Sequence, residues 1–256
     1  MLKAERKVAS PLLEICVDNV EGLFAAIEGG ADRIELCSAL SVGGLTPSYG
    51  FMELAGRQAV PVMAMIRPRA GGFIYSTEEV EIMKADIDAA RAAGLAGIVL
   101  GAATLDNRLD RNNLTLLCRH AEGMDLTLHR AFDVVENQSD ALEMAVDLGF
   151  SRILTSGGKP TALEGKAVLA QLIDQSAGRI SIMPGAGIRP SNAQALLLGL
   201  SVYELHASCS MRFTEENKQL LDLSFAAKEM LKTDAATVKE LKSIFQNAFQ
   251  SSEAVS

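Results

Sequence analysis

Helical stretches that end at glycine, each followed by a short link and an apolar run, recur along the chain. Four cases are AAIEGGADRIELC, AARAAGLAGIVLG, MAVDLGFSRILTS and ALLLGLSVYELHA. Glycine suits the left-handed conformation that ends many helices. Nearly continuous apolar runs are typical of parallel strands that are buried on both faces. The pattern therefore predicts alternating helices and strands around a parallel sheet.

Eight strands and eight helices follow from this pattern. The predicted strands are Leu12–Val17, Arg33–Cys37, Val62–Arg67, Gly97–Gly101, Leu126–Arg130, Arg152–Ser156, Ile180–Pro184 and Val202–Ala207. The predicted helices are Val20–Glu28, Ser48–Gln58, Thr77–Ala93, Asn112–Glu122, Ser139–Leu148, Leu163–Ser176, Ser191–Leu198 and Ala235–Phe249. Such repeats are typical of the (β/α)₈ barrel, a TIM-like α/β fold. A doubly wound sheet should carry a glycine-rich fingerprint after its first strand, and ICVDNVEG has none.

No linker or change of composition divides the chain, so we expect one domain over residues 1–256. The barrel core is predicted over about residues 11–208, with Pro11 and the preceding residues outside the barrel. Residues 209–256 are predicted to form a C-terminal extension, in which a loosely packed stretch beyond Phe213 precedes the final helix.

Composition and charge narrow the functional classes. The 256 residues are 48% hydrophobic and 22% charged, as in ordinary globular proteins, and the formal net charge of −8 disfavours nucleic acid and anionic membranes as partners. No apolar run approaches a membrane span, and the N-terminal segment lacks the features of a secretory signal. The four cysteines include no CxxC pair and are too few for a disulfide framework. A reducing cytoplasm is the expected compartment.

Carboxylates and thiols share one face of the first two predicted strands. Glu14-x-Cys16 ends the first strand and Glu35-x-Cys37 ends the second. Side chains alternate along a strand, so each pair should face the barrel interior if the intervening apolar residues face the helices. Neighbouring strands lie about 5 Å apart, so the two pairs should meet near the C-terminal mouth, where active sites of such barrels lie.

Three basic residues are predicted at the same mouth. Arg67 ends the third strand, and His129 and His206 lie on the fifth and eighth. An unpaired buried carboxylate is costly, so we expect these groups to converge with Glu14 and Glu35, and Arg67 to bond at least one carboxylate. A merely packed barrel interior favours valine, isoleucine and leucine, so this collection of charges indicates a functional site.

Glycine-rich loops supply a second signal. TSGGKP follows the sixth strand and PGAGIRPSN follows the seventh. Such loops expose backbone N–H groups near helix N-termini, and barrels of this type often bind phosphate there. The predicted anion-binding residues, with the nearby guanidinium of IRPRAGGF included, are Arg69, Ser156, Gly157, Gly158, Gly185, Ala186 and Gly187.

Seven segments together resemble the CutC family, which is named for copper homeostasis. They are LLEICVDNVE, GGADRIELCSALSVGGLTPS, IRPRAGGFIYS, LHRAFDV, RILTSGGK, GAGIRPSN and ELHAS, in order from about Leu12 to Ser208. The resemblance implies a TIM-like barrel and a cytoplasmic protein linked to copper tolerance and trafficking. The sequence departs from the family where the link between ELHAS and MRF is short.

Two functions are compatible with these residues. The first is Cu(I) binding by Cys16 and Cys37, because Cu(I) prefers soft sulfur ligands. The alternative for these two residues is a purely structural role as buried packing residues. The second is an isomerase- or epimerase-like enzyme that acts on a small anionic or phosphorylated metabolite. There Glu14 or Glu35 would be the general base, His129 the partner acid and Arg67 the anion clamp.

The two hypotheses make opposite demands on the mouth, because copper binding needs the thiols and the enzyme needs the carboxylates. The expected ligand is accordingly a copper ion or a small anionic metabolite, and the apolar, methionine-containing helix surfaces permit a homodimer.

Overall fold

The computed structural model describes residues 11–253. Its strands are β1 (Leu12–Val17), β2 (Arg33–Leu36), β3 (Val62–Met65), β4 (Gly97–Leu100), β5 (Asp125–Leu128), β6 (Arg152–Thr155), β7 (Ser181–Pro184), β8 (Glu204–Ala207), β9 (Ser210–Thr214) and β10 (Glu229–Thr233). Its helices are α1 (Val20–Glu28), α2 (Tyr49–Gly56), α3 (Thr77–Ala92), α4 (Arg111–His120), α5 (Gln138–Asp147), α6 (Lys166–Ser176), α7 (Pro190–Leu197), α8 (Lys218–Asp222) and α9 (Ala235–Glu253). Two 3₁₀ turns occupy Leu40–Val42 and Arg130–Val134.

The first eight strands form one parallel sheet in the order β7-β6-β5-β4-β3-β2-β1-β8. This sheet is a nearly closed barrel surrounded by helices, so the predicted TIM-like fold is confirmed. Several strands end earlier than predicted, because the residue-to-residue pairing with neighbouring strands stops at Leu36 in β2 and at Met65 in β3. Cys37 and Arg67 therefore lie in the loops just beyond their strands.

Alternate side chains of the strands pack into two separate apolar regions. Outward residues such as Ile15, Ile34 and Leu36 are fully buried in the layer between barrel and helices. The barrel interior holds a second, smaller apolar cluster of Cys37, Met63, Met65 and Val99, with Leu40 packed against it. Apart from Leu154 and Met183, the other interior positions are mostly polar, and they carry the candidate site.

The predicted loosely packed stretch after Phe213 contains regular structure that the sequence pattern did not indicate. β9 and β10 pair as an antiparallel hairpin whose residues are mostly exposed, and the short α8 lies between them. The link from β8 to this hairpin is Ser208 and Cys209, and Cys209 has a φ of 46°. The final helix α9 packs against α1 and α7 through buried residues that include Val238, Leu241 and Phe245.

The prediction for the residues before Pro11 lies outside the described range. The single-domain boundaries stay a prediction. Between residues 11 and 253, no helix has the length and apolar composition needed to cross a bilayer.

Candidate functional site

The barrel interior begins at its N-terminal end with a layer of ion pairs. Arg33 bonds the carboxylates of both Glu14 and Glu204, and Arg152 donates to Glu204 at 2.8 Å. Arg152 also donates to Asp125 at 2.8 Å and to the Thr127 hydroxyl at 2.9 Å. Each charge in this layer has an opposite charge within reach, so its burial is compensated.

Strand register places Glu14 between this layer and the site above it. Glu14 lies opposite Arg33 of β2 on one side and opposite His206 of β8 on the other, while Cys16 lies opposite Glu35. One carboxylate oxygen of Glu14 bonds Arg33, and the other lies 2.8 Å from Nδ1 of His206. Burial raises the pKa of Glu14, but the nearby charges of Arg33 and His206 outweigh burial and lower it to about 2.

His206 and Glu35 form the next pair towards the mouth. Nε2 of His206 lies 3.8 Å from a carboxylate oxygen of Glu35, whose other oxygen, Oε1, has no hydrogen-bond partner in the described residues. Burial raises the pKa of Glu35. Burial alone would lower the pKa of His206, but the adjacent Glu35 carboxylate and its other polar neighbours raise it well above its usual value. These neighbours therefore favour the protonated imidazole.

Cys16, Glu35 and His206 together offer a metal-binding arrangement. One ligand atom from each residue lies within 4.8 Å of the others, and all three residues are buried. Glu14 holds Nδ1 of His206, which leaves Nε2 as the free ring nitrogen, and such carboxylate–histidine pairs orient metal-ligating imidazoles in many proteins. A thiol, an imidazole and a carboxylate are a ligand set that fits copper or zinc.

Cys37, the second thiol of the predicted copper pair, approaches this group through Glu35. Its Sγ lies 3.5 Å from a carboxylate oxygen of Glu35, while Sγ of Cys16 lies 3.8 Å from the Ala207 carbonyl. Burial, with the Glu35 carboxylate beside it, raises the pKa of the Cys37 thiol well above its usual value. Cys37 is fully buried in the apolar cluster. Cys37 thus packs in the barrel interior, and metal binding by Cys37 stays a prediction.

The prediction that Arg67 bonds a carboxylate is wrong. Its terminal guanidinium nitrogens donate to the carbonyls of Val42, Gly44 and Gly71 at 2.7–3.0 Å. Arg67 lies two positions past Met65, the last residue of β3, so strand parity does not direct its side chain to the carboxylates. The arginine that bonds Glu14 is Arg33, and no arginine within the described range bonds Glu35.

The predicted convergence of five charged residues is correct only in part. Glu14, Glu35 and His206 meet as expected. His129 instead packs against Phe73, with ring centroids 4.9 Å apart and the ring planes tilted by 47°, and the guanidinium of Arg67 lies 5.1 Å from the centroid of the same phenyl ring. Burial first, and the Arg67 charge second, lower the pKa of His129 to about 3. His129 is therefore neutral. A neutral imidazole can still donate a hydrogen bond, but it is not the general acid that the enzyme hypothesis assigned to His129.

The glycine-rich loop after β6 binds a carboxylate of the protein itself. Asp133 accepts hydrogen bonds from the backbone N–H groups of Ser156 and Gly158 at 3.0–3.1 Å, from the Ser156 hydroxyl at 3.0 Å and from the Thr155 hydroxyl at 2.5 Å. The N–H of Gly157 donates to the Thr155 hydroxyl. The predicted anion donors of this loop are thus already paired, which corrects their assignment to an external ligand.

The remaining predicted anion-binding residues differ from one another. Arg69 is ion-paired with Glu79 and donates to three carbonyls of its own loop. The Gly185 N–H donates to the Thr155 carbonyl. Ala186 and Gly187 both have positive φ, 79° and 71°, in the turn before α7. Anion binding by this second loop stays a prediction.

Sequence reasoning missed Arg33 and Arg152, which neutralise the interior. A signal was present for Arg33, because it shares strand parity with Glu35 and Cys37 in DRIELC. Arg152 likewise begins the strand in SRILT. Both residues begin a strand, and the first residue of a strand is usually close to solvent. The sequence therefore favours a surface position for both.

Fold and site define a TIM-like barrel whose interior is an ordered network of ion pairs beneath a buried thiol, imidazole and carboxylate. The chain belongs to the CutC family, whose model matches residues 11–211. A family protein CutC from Sinorhizobium medicae is 57% identical over 231 residues, which are 90% of this chain and 94% of that protein. A family protein CutC from Caulobacter vibrioides is 48% identical over the same shares of the two chains.

Solved structures agree with this assignment. A crystal structure of a CutC protein from Streptococcus agalactiae, named after copper homeostasis, superposes with a TM-score of 0.74 at 33% identity, covering 77% of this chain and 98% of that one. Thiamine phosphate pyrophosphorylase from Pyrococcus furiosus gives a TM-score of 0.58 at 16% identity, covering 94% and 98%. The second likeness concerns the fold alone.

Proposed function

We propose that the protein binds Cu(I) in the barrel interior, as cargo in cytoplasmic copper homeostasis. The observation that carries this proposal is the buried group of Cys16, Glu35 and His206, whose ligand atoms lie within 4.8 Å of one another. Family membership supports the same reading. A reducing compartment would keep the thiols in the state that copper binding requires.

Cys16 and His206 are the primary ligands in this proposal. Cu(I) prefers thiolate and also accepts imidazole nitrogen, whereas a carboxylate is a harder ligand that suits Zn²⁺ better. Glu35 then acts mainly as a hydrogen-bond acceptor beside the metal. Cys37, whose Sγ lies 3.5 Å from a carboxylate oxygen of Glu35, would be a further sulfur ligand. Zn²⁺ held by all three residues is the competing assignment.

Proton release accompanies binding. Ligands must be deprotonated before they bind a metal, and the raised pKa of His206 means that its ring carries a proton when the metal is absent. Binding would remove that proton from Nε2, while Nδ1 keeps its hydrogen bond to Glu14. Affinity should consequently increase with pH.

The test is an anaerobic competition titration with a Cu(I) chelator. Cys16→Ser should weaken Cu(I) binding by more than about 100-fold, since it removes a ligand and not merely an outer partner. Cys37→Ser measures the contribution of the second thiol. Cys118→Ser is the matched control, because Cys118 is a buried thiol in the helix layer and should not change affinity.

Two results would contradict the proposal. Unchanged Cu(I) affinity in Cys16→Ser would exclude the site. Tighter binding of Zn²⁺ than of Cu(I) against matched chelators, with loss of that binding in Glu35→Gln, would assign the site to zinc. X-ray absorption on the loaded protein should show sulfur and nitrogen neighbours.

An enzyme of the isomerase or epimerase kind is a second candidate, favoured by one observation. Burial raises the pKa of Glu35, and its Oε1, beside the His206 ring, has no hydrogen-bond partner among the described residues, so the pair could exchange protons with a substrate. His206 thereby replaces His129 as the partner acid. Incubation with a library of small anionic metabolites, followed by mass spectrometry, should identify a substrate that wild type converts and Glu35→Gln does not.

A further inference from the structure

Three buried donors at the barrel mouth lack acceptors. Arg67, Tyr75 and His129 are only 5%, 8% and 3% exposed, yet Nε of Arg67, the Tyr75 hydroxyl and Nε2 of His129 have no hydrogen-bond partner in the described residues. Buried polar groups are paired in nearly all native proteins, so each exception calls for an explanation. Tyr75 and His129 both lie near Arg67, so the three exceptions call for a common explanation.

Nε2 of His129 is a donor because of how the other ring nitrogen is used. Nδ1 accepts the N–H of Ala131 at 3.1 Å, so it carries no proton. The neutral ring therefore bears its proton on Nε2. The ring reaches this position because residue 101 is glycine, since a Cβ there would stand 2.6 Å from ring atoms of His129.

Arg67 is a rigid cation without a balancing anion. Three carbonyls hold its terminal nitrogens, and among residues 11–253 it forms no ion pair with a carboxylate. Nearby Arg69, in contrast, is paired with Glu79. Burying a charge without a counter-charge is costly, so a charge of opposite sign is the expected complement of Arg67.

The three donors share the loop that follows β3 and the end of β5. Phe73 of this loop contacts both the Arg67 guanidinium and the His129 ring. Tyr75 lies two residues further on, where burial raises its pKa. The charges of Arg67 and Arg69, and the N–H groups of Arg67 near the hydroxyl oxygen, oppose that effect. Arg67 is thus the common neighbour of the other two groups.

We propose that Arg67, Tyr75 and His129 form a receptor for the carboxylate of a small organic acid. One cation and two neutral donors match a group with a single negative charge and two acceptor oxygens, and charge-assisted bonds of this kind are the strong ones. A phosphate group, with more charge, fits one cation less well. This proposal deepens the second candidate function by naming the group that its ligand carries, and it is independent of copper binding.

The test is a titration with acetate and with inorganic phosphate at constant ionic strength, followed by binding isotherms and by ¹⁵N NMR of the histidine rings. With three histidines in the chain, the Nε2–H signal of His129 can be assigned directly. Acetate should shift that signal saturably. Tyr75→Phe, which removes one donor oxygen, should weaken acetate about tenfold, the equivalent of about 1.4 kcal/mol.

Tyr49→Phe is the matched control, since the Tyr49 hydroxyl bonds Glu53 at the surface and its loss should leave acetate affinity unchanged. Cys16→Ser should also bind acetate normally, which separates this site from the metal site. Failure of acetate to saturate by about 50 mM, far above a millimolar Kd, would overturn the receptor. Equal affinity in Tyr75→Phe would do the same, and tighter binding of phosphate would overturn the choice of carboxylate.

Discussion

The base and the mouth of the barrel interior are built from similar residue types but differ in how those residues are paired. At the base, Arg33 and Arg152 are surrounded by carboxylates. At the mouth, the Arg67 guanidinium donates to backbone carbonyls and pairs with no carboxylate within the described range. Four buried polar atoms there, including Glu35 Oε1, have no hydrogen-bond partner among the described residues. Complete pairing serves stability, whereas incomplete pairing leaves atoms free for a ligand.

The largest expected effect on stability comes from disrupting the ion pairs at the base of the barrel. Arg33→Met should lower the free energy of unfolding by about 3–5 kcal/mol, because the carboxylates of Glu14 and Glu204 each lose a cation, and Glu14 keeps only His206. Arg67→Met should cost clearly less, since no carboxylate loses a partner. Urea denaturation of both variants checks the comparison, and equal losses would contradict it.

Acid should weaken the same layer in a defined window. The pKa of Glu14 is lowered from 4.5 to about 2, so its contribution is complete above the unfolded-state value and disappears as pH falls from about 4.5 towards 2. This shift corresponds to about 3 kcal/mol. Denaturation of wild type and Glu14→Gln across this range should show a shallower pH dependence in the variant, and parallel curves would assign the acid sensitivity elsewhere.

Two hydroxyl deletions sharpen the contrast at smaller scale. Thr127→Val removes the acceptor of a buried Arg152 N–H and should cost about 1–3 kcal/mol. Tyr75→Phe removes a hydroxyl whose proton has no acceptor among the described residues and should cost clearly less in buffer free of organic anions. Thermal unfolding measures both, and a clear loss in Tyr75→Phe would show that its hydroxyl is bonded after all.

The smallest expected effect is a difference in protonation between two buried histidines, His129 and His206, which can be observed without mutation. ¹⁵N NMR at pH 7 should find the His206 ring protonated, because the carboxylates around it raise its pKa, and the His129 ring neutral with its proton on Nε2. Addition of Cu(I) should deprotonate Nε2 of His206 and leave His129 unchanged. A neutral His206 before copper is added would contradict the charge assignment at the mouth.

The inner faces of β1 and β8 could be predicted from sequence, because their strands are regular where the key residues lie. Glu14, Cys16 and His206 face the interior as strand parity indicates, and register then brings them together with Glu35. Parity does not apply to Arg67, which lies beyond the end of β3. The β9–β10 hairpin was not predicted, because its exposed strands show no clear inner and outer face.

By itself, the sequence determined the eightfold alternation of strand and helix, the family and the polar character of the barrel interior, since these depend on local periodicity and residue type. Only the tertiary structure decided which charges meet. The choice of Arg33 over Arg67 as the partner of Glu14 depends on strand register across the barrel, which is a long-range property. Likewise, the loop after β6 received an internal carboxylate because Asp133, distant in sequence, folds back against it.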